Sequence, residues 1–328
     1  MADAATTPDA RDARLRGLAA RLPIWLAVIA LWLLAAALSP AFLSLTQVGN
    51  VVQVAAFLGV VSLGQTIALL VGGIDLSVGG VVTLTNIVAT SVMLGHDARI
   101  LPAVLICLLL GLAVGVMNGV FVAFLRVTPL ISTLAMNACL FGAALLYTNG
   151  APNGSSAPGF AVFGQGHLAG IPASTICWLA IAIALAFVLR RSTFGRWIYA
   201  TGANGTAARL MGVPVRFVLV SAYALSGLMA TFAGLLLTSY IGSPSLGAGN
   251  QYLLTSVAAA VVGGAALTGG IGTIAGAVGG ALFITEADSF TTVSHLSTGA
   301  QDVVQGAIIA ISVLIYSWLS PSGGRAGQ

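Results

Sequence analysis

The chain keeps returning to unbroken apolar runs of membrane-crossing length. A hydrocarbon layer about 30 Å thick takes about 20 helical residues to cross, and runs near that length recur from Pro23 to Leu319 with short polar breaks between them. The runs are continuous rather than alternating, which excludes an outer-membrane barrel. A water-soluble domain needs roughly 25% charged residues to solvate its surface. Here 6% of 328 residues are charged and 58% are hydrophobic. The fold class is all-α and polytopic, embedded in a membrane.

Spans are read at residues 23–39, 48–71, 80–94, 100–125, 129–147, 171–189, 217–241, 253–267, 271–287 and 303–319. That makes about ten transmembrane helices in a permeating domain at 23–320, with tails at 1–22 and 321–328. A Gly/Pro/Ser-rich loop covers 149–170, and a polar segment covers 190–216. With both termini in the cytoplasm, eleven of the twelve Arg fall inside and only Arg99 falls outside, as the positive-inside rule requires of a correct topology. Adding or dropping a span before the sixth would put Arg190, Arg191 and Arg196 on the wrong side. The first run has an Arg-rich flank and Ala35-Ala36-Ala37 resembles a cleavage site, but it is read as an uncleaved helix.

All twelve basic residues are Arg and none is Lys. This excludes a phosphate-binding loop, whose lysine reaches the phosphates, and Schiff-base chemistry. If ATP drives this protein, another subunit binds it. The net charge of +4 follows from topology and does not point to nucleic acid. Cys107, Cys139 and Cys177 lie in separate apolar runs and read as buried free thiols. His96, His167 and His295 have no ligand-like spacing, so no metal, cofactor or catalytic residue is assigned.

Glycine is patterned. Gly272, Gly276 and Gly280 recur every four residues, and Gly263-Gly264 ends a neighbouring run; such small-residue stripes let helix backbones approach in a membrane. Asp75 stands within Gly72-Gly73-Ile74-Asp75-Leu76-Ser77-Val78-Gly79-Gly80, where glycines on both sides break the helix. An acid at membrane depth is costly and belongs in a wet or interfacial place. Asp75 or Ser77 either caps the helix that follows or lines a solute path. Further uncharged polar groups within spans include Gln53, Gln65, Thr83, Asn86, Asn118, Ser132, Thr133, Asn137, Thr255 and Ser256. They suit a neutral, hydroxyl-bearing solute, and Asp75, Ser77, Asn86 and Asn137 are the candidate path residues.

In the 190–216 segment, Asn204 is a good N-cap, Gly212 a good C-cap, and Pro214 prevents continuation. Between them a two-turn helix exposes Ala207, Ala208, Leu210 and Met211. A helix that short is marginal alone, so a partner groove is expected beneath it.

These stretches resemble a known family. The Gly-Gly-Ile-Asp-Leu-Ser-Val-Gly stretch at 72–79, Phe194-Gly-Arg with Ala200 to Gly212, and Val262-Gly-Gly through Gly269-Gly-Ile-Gly-Thr look like the permease subunit of bacterial ABC importers for simple sugars, of the ribose, xylose and galactoside type. The resemblance covers about residues 45–320. It implies a non-enzymatic subunit of the inner membrane, working as a homodimer amid lipid beside an ATPase and a periplasmic sugar-binding protein. It also implies that Gly202, Asn204, Ala207, Ala208, Arg209 and Gly212 form a coupling segment that docks on the ATPase. Related permeases for branched-chain amino acids or nucleosides, and an ion-coupled transporter, are the alternatives.

Overall fold

The computed structural model describes residues 22–294 together with 299–301, 303–304 and 306–307. Its α-helices of six or more residues are α1 (Leu22–Leu38), α2 (Leu45–Leu70), α3 (Val78–Met93), α4 (Ile100–Ala123), α5 (Pro129–Thr148), α6 (Ala173–Arg191), α7 (Thr193–Ala203), α8 (Gly205–Leu210), α9 (Val215–Ile241), α10 (Tyr252–Val262) and α11 (Ile274–Val293). Strands are confined to a two-residue antiparallel pair, His167–Leu168 with Ile171–Pro172, among the described residues. Each of the first nine expected spans coincides with one helix. Of the tenth expected span only residues 303–304 and 306–307 are described, and they are helical; the rest of that span and the tails, apart from Leu22, lie outside the described residues.

Among the described residues, five segments are long and apolar enough to cross a membrane: Leu45–Leu70, Asp97–Ala123, Pro129–Thr148, Ala173–Arg191 and Val215–Ile241. α11 matches them in length but carries Glu286 and Asp288; α1, α3 and α10 are shorter, and α10 departs most from expectation. It has 11 residues, about 16 Å at the helical rise, too short to cross. The run read as a span to residue 267 stops at Val262 because Gly264, Gly269 and Gly270 all take positive φ, which unwinds the chain into a loop.

Burial orders the helices around α2. Of its most apolar window 89% is buried, against 28% for the windows in α4, α5 and α6. α2 packs on α9, α11, α10 and α6, while α4 to α6 turn Leu101, Leu109, Ile131, Leu146, Ile183 and Phe187 outward. That is the distribution of a bundle core and its lipid-facing rim. Cys139 belongs to this outer surface, so the reading of three buried thiols is corrected for it; Cys107 is buried, Cys177 half-buried, and all three are free.

The glycine stripe does what its spacing implies. A Cβ on Gly276 would sit 1.9 Å from the carbonyl oxygen of Gly263, and one on Gly280 would sit 1.9 Å from that of Ala259, so α10 and α11 meet backbone to backbone. A second stripe, Gly111, Gly115 and Gly119 on α4, packs the same way: a Cβ on Gly115 would sit 2.3 Å from the Tyr223 carbonyl oxygen of α9. Gly79 and Gly80 were expected to break a helix. They instead lie in the first turn of α3, where a Cβ on Gly80 would meet Leu140 Cβ at 2.9 Å. They serve close packing, not interruption.

The connections sort to two ends of the bundle. At one end the 149–172 connection is tied down by Ser156 N–H donating to Gly242 O (2.9 Å), Gly159 N–H to Asp97 Oδ1 (2.8 Å) and Gln53 Nε2 to Gly164 O (2.6 Å). The 71–77, 192–214 and 263–273 connections gather at the other.

Candidate functional site

The three stretches that carry the family resemblance are remote in sequence and meet at one end of the bundle. α2 cannot continue past Leu70: Gly72 turns with φ +79°, and Gly73 N–H donates back to Ala68 O at 2.9 Å. The Leu70 carbonyl, left without its helical donor, accepts instead from Gly270 N–H at 2.9 Å. Gly202, near the end of α7, enters the same contact. A Cβ there would lie 1.8 Å from Leu70 O and 2.5 Å from Gly270 N, so no side chain fits without moving backbone. Tyr199 Oη donates to Gly272 O at 3.0 Å. The end of α2, α7 and the 263–273 loop are thereby joined through main-chain contacts, which deform little.

α8 continues from this junction. Asn204 Oδ1 accepts from Thr206 N–H (3.1 Å) and Ala207 N–H (3.0 Å), filling the N-cap role its residue type predicts. At the far end Gly212, with φ +82°, donates its N–H to Arg209 O, and Val213 N–H donates to Ala208 O, both at 3.0 Å. This closing pair satisfies carbonyls that the helix end leaves open. Ala208 is buried against the protein, correcting the expectation that it is exposed; it seats the helix. Ala207 and Arg209 face out, and Leu210 and Met211 are each 85% exposed. Beside them Arg209, Val213, Arg216 and Phe124 line a cavity of about 640 Å³, with the Arg216 guanidinium 5.3 Å from the Phe124 ring centroid. α7 itself was missed in the sequence, although Ser192 carries its signal: the hydroxyl caps it by accepting from Gly195 N–H at 3.0 Å.

The connection that holds Asp75 is clamped from several helices. Asp75 is fully buried, and its Oδ1 accepts from Ser77 N–H (3.0 Å) and Ser77 Oγ (2.6 Å). Ser77 Oγ in turn accepts from Asn118 Nδ2 of α4 at 2.8 Å. Thr133 of α5 donates to Ile74 O at 3.2 Å. The Gln65 amide of α2, oriented to match donor with acceptor, spans Asp75 O (2.9 Å) and Asp75 N (3.3 Å). Asp75 therefore orders the turn entering α3, and Ser77 precedes that helix without a side-chain cap bond. Asp75 Oδ2, Asn118 Oδ1, Tyr223 Oη and Ser226 Oγ are buried and lack hydrogen-bond partners among the described residues.

The sequence signature of a family described as a branched-chain amino acid transport system permease component matches residues 47–313. The chain belongs to this permease family. The ribose import permease of Escherichia coli (strain K12) is 36% identical over 296 residues, which cover 88% of this chain and 91% of that protein. The galactose/methyl galactoside import permease of the same organism is 34% identical, covering 85% and 88%. The autoinducer 2 import system permease of Salmonella choleraesuis is 33% identical, covering 89% and 83%. No solved structure matches the chain. The resemblance read from the three motifs is borne out, and with it a multi-pass permease of the inner membrane.

Within the permease, the other expected path residues, Asn86 and Asn137, make hydrogen bonds between elements. Asn86 is fully buried; its Nδ2 donates to Thr238 Oγ1 (3.1 Å) and Ser243 O (3.2 Å), and its Oδ1 accepts from Ser245 N–H (2.7 Å). Asn137 Oδ1 accepts from Gly80 N–H at 2.7 Å. The reading that polar groups inside the spans are uncharged needs one amendment. Glu286 lies in α11 and is 1% exposed, and neither carboxylate oxygen has a hydrogen-bond partner among the described residues. Two acids, Glu286 and Asp288, in an otherwise apolar run were the available signal.

Proposed function

We propose that this permease is the transmembrane subunit of an ATP-binding cassette importer that carries a simple sugar across the inner membrane. Its relatives are named for ribose and galactose import, which favours a sugar over the branched-chain amino acids of the family's description. The observation that carries the reading is α8. It is a short capped helix at one end of the bundle, with Leu210 and Met211 turned outward and its root joined to α2 and the 263–273 loop through Gly202. Two exposed apolar side chains at the end of a six-residue helix, Leu210 on it and Met211 just past it, suit a groove on a partner that binds ATP. In this reading Gly202, Asn204, Ala207, Ala208, Arg209 and Gly212 form the coupling segment. In this reading six spans precede it, so that the distribution of Arg puts it in the cytoplasm, and both termini are assigned to the same side.

The mechanism follows from the junction. When the ATPase closes, it moves α8. Because the contacts at Gly202 and Gly270 are backbone on backbone, α8 moves the inner ends of α2 and α11 with it, and the helices rock between inward- and outward-facing states. A periplasmic sugar-binding protein delivers the solute, and a second copy of the permease completes the pathway. The test is the double substitution Leu210→Asp, Met211→Asp. Both side chains are solvent-facing, so the protein reaches the membrane at normal level, but sugar uptake in cells falls to background and the ATPase no longer copurifies. Full uptake by this variant, or accumulation of sugar by the permease alone in vesicles, would overturn the reading.

A further inference from the structure

At the end of the bundle opposite α8, a cavity of about 410 Å³ opens between the first half of α2, the start of α10 and the last turns of α11. None of the path residues expected from the sequence lines it. Its chemistry divides into two walls. One is apolar: Val51, Val54 and Leu58 follow one another along a single face of α2, and the ring of Tyr252 closes the side. The other is polar: Thr285, Asp288 and Ser289 recur at helical spacing on α11, facing Thr255 of α10.

Depth also divides it. Thr255 and Thr285 are buried, at 7% and 6% exposure, whereas Asn50 is exposed at the mouth. A bond from Gln47 Nε2 to Ser289 Oγ, 2.8 Å, joins α2 to α11 across the cavity wall. Thr255 Oγ1 donates to Gln251 O one turn back along α10 and so meets the cavity as an acceptor, whereas a hydroxyl such as that of Thr285 can donate and accept at once. Among the described residues, the cavity lining holds one carboxylate and no cationic side chain, so an anionic solute finds no counter-charge among them. A neutral polyhydroxylated ring fits both walls: its C–H face lies on the apolar side, and its hydroxyls meet Thr, Ser and carboxylate on the other.

We propose that this cavity, floored by Thr255 and Thr285 and edged by Asp288, is the solute-contact site of the permease for a neutral monosaccharide. It rests on the sugar-importer reading and names the residues that would set its preference. The experiment measures uptake of single pentoses and hexoses by cells carrying the whole transporter, with wild type, Thr285→Val, Thr255→Val and Asp288→Asn. Val matches Thr in shape and keeps the fold, so loss of a hydroxyl bond should slow uptake of the transported sugar about three- to tenfold, and change the pentose-to-hexose ratio, with membrane level and ATPase copurification unchanged. In parallel, Thr285→Cys in a background with Cys107, Cys139 and Cys177 replaced by Ala should react with a small methanethiosulfonate reagent, and the transported sugar should slow that reaction.

Unchanged rates and ratios in all three variants, with labelling that sugar does not slow, would overturn the site while leaving the importer reading intact, since wild type would still take up sugar. If wild type takes up no sugar of either class, the importer reading falls and this site falls with it.

Discussion

The two ends of the bundle differ in what joins their closest elements. Around Gly202, elements meet through main-chain contacts, with Leu70, Gly270 and Gly202 leaving no space for a Cβ. At the other end Ser156 and Gly242 also meet main chain to main chain, but side chains reaching for backbone add to the hold, such as Gln53 to Gly164 and Asn86 to Ser243 and Ser245, and a cavity of about 410 Å³ lies between helices. Backbone contact transmits displacement because neither partner can rotate away. A side-chain bond leaves its partner room to adjust. The first construction suits a lever root and the second suits a mouth that admits and releases a solute.

The sharpest way to break that contrast is Gly202→Val. Its Cβ would lie 1.8 Å from Leu70 O, and overpacking of this kind costs at least about 1–3 kcal/mol. Uptake should be lost whether or not the protein accumulates in the membrane, and normal uptake would show that the junction need not be close-packed. A smaller effect is expected at Asp75. Asp75→Ala removes the acceptor of two bonds from Ser77 and should cost about 1–3 kcal/mol, seen as a lower melting temperature in detergent with reduced uptake. Asp75→Asn keeps an Oδ1 and should recover most of both. Equal loss in the two variants would mean that the charge, rather than the ordered turn, is what matters.

The smallest effect belongs to the opposite end. Asn86→Ala unpins the loop at Ser243 and Ser245, whose backbone groups can turn to water, so about 1 kcal/mol of stability is at stake and uptake should stay within about twofold. A severalfold loss of uptake at unchanged melting temperature would instead make Asn86 a residue of the solute path and erase the distinction drawn between the ends.

Much of this was legible in the residues. Nine of the helices follow from apolar run length, and the cap of α8 follows from Asn204, Gly212 and Pro214, because helix ends obey local rules. The stripe at Gly276 and Gly280 pointed to helix contact because spacing by four places residues on one face. The role of Gly79-Gly80 did not follow, since a glycine pair in sequence looks the same whether it ends a helix or lets another approach. The burial of Ala208 did not follow either; on a six-residue helix the inward face depends on what lies behind it.

Composition and local pattern alone determined that this chain crosses a membrane many times, carries no nucleotide-binding lysine and bears a short capped helix between its sixth and seventh spans. Those properties depend on solvation and on neighbours a few residues away. Only the tertiary structure decided that the three glycine-bearing stretches form one junction, that Asp75 orders a turn instead of standing open, and that Thr255, Thr285 and Asp288 share a cavity. Contacts between residues tens to hundreds of positions apart are set by how helices pack, and a single chain of letters holds no measure of that distance.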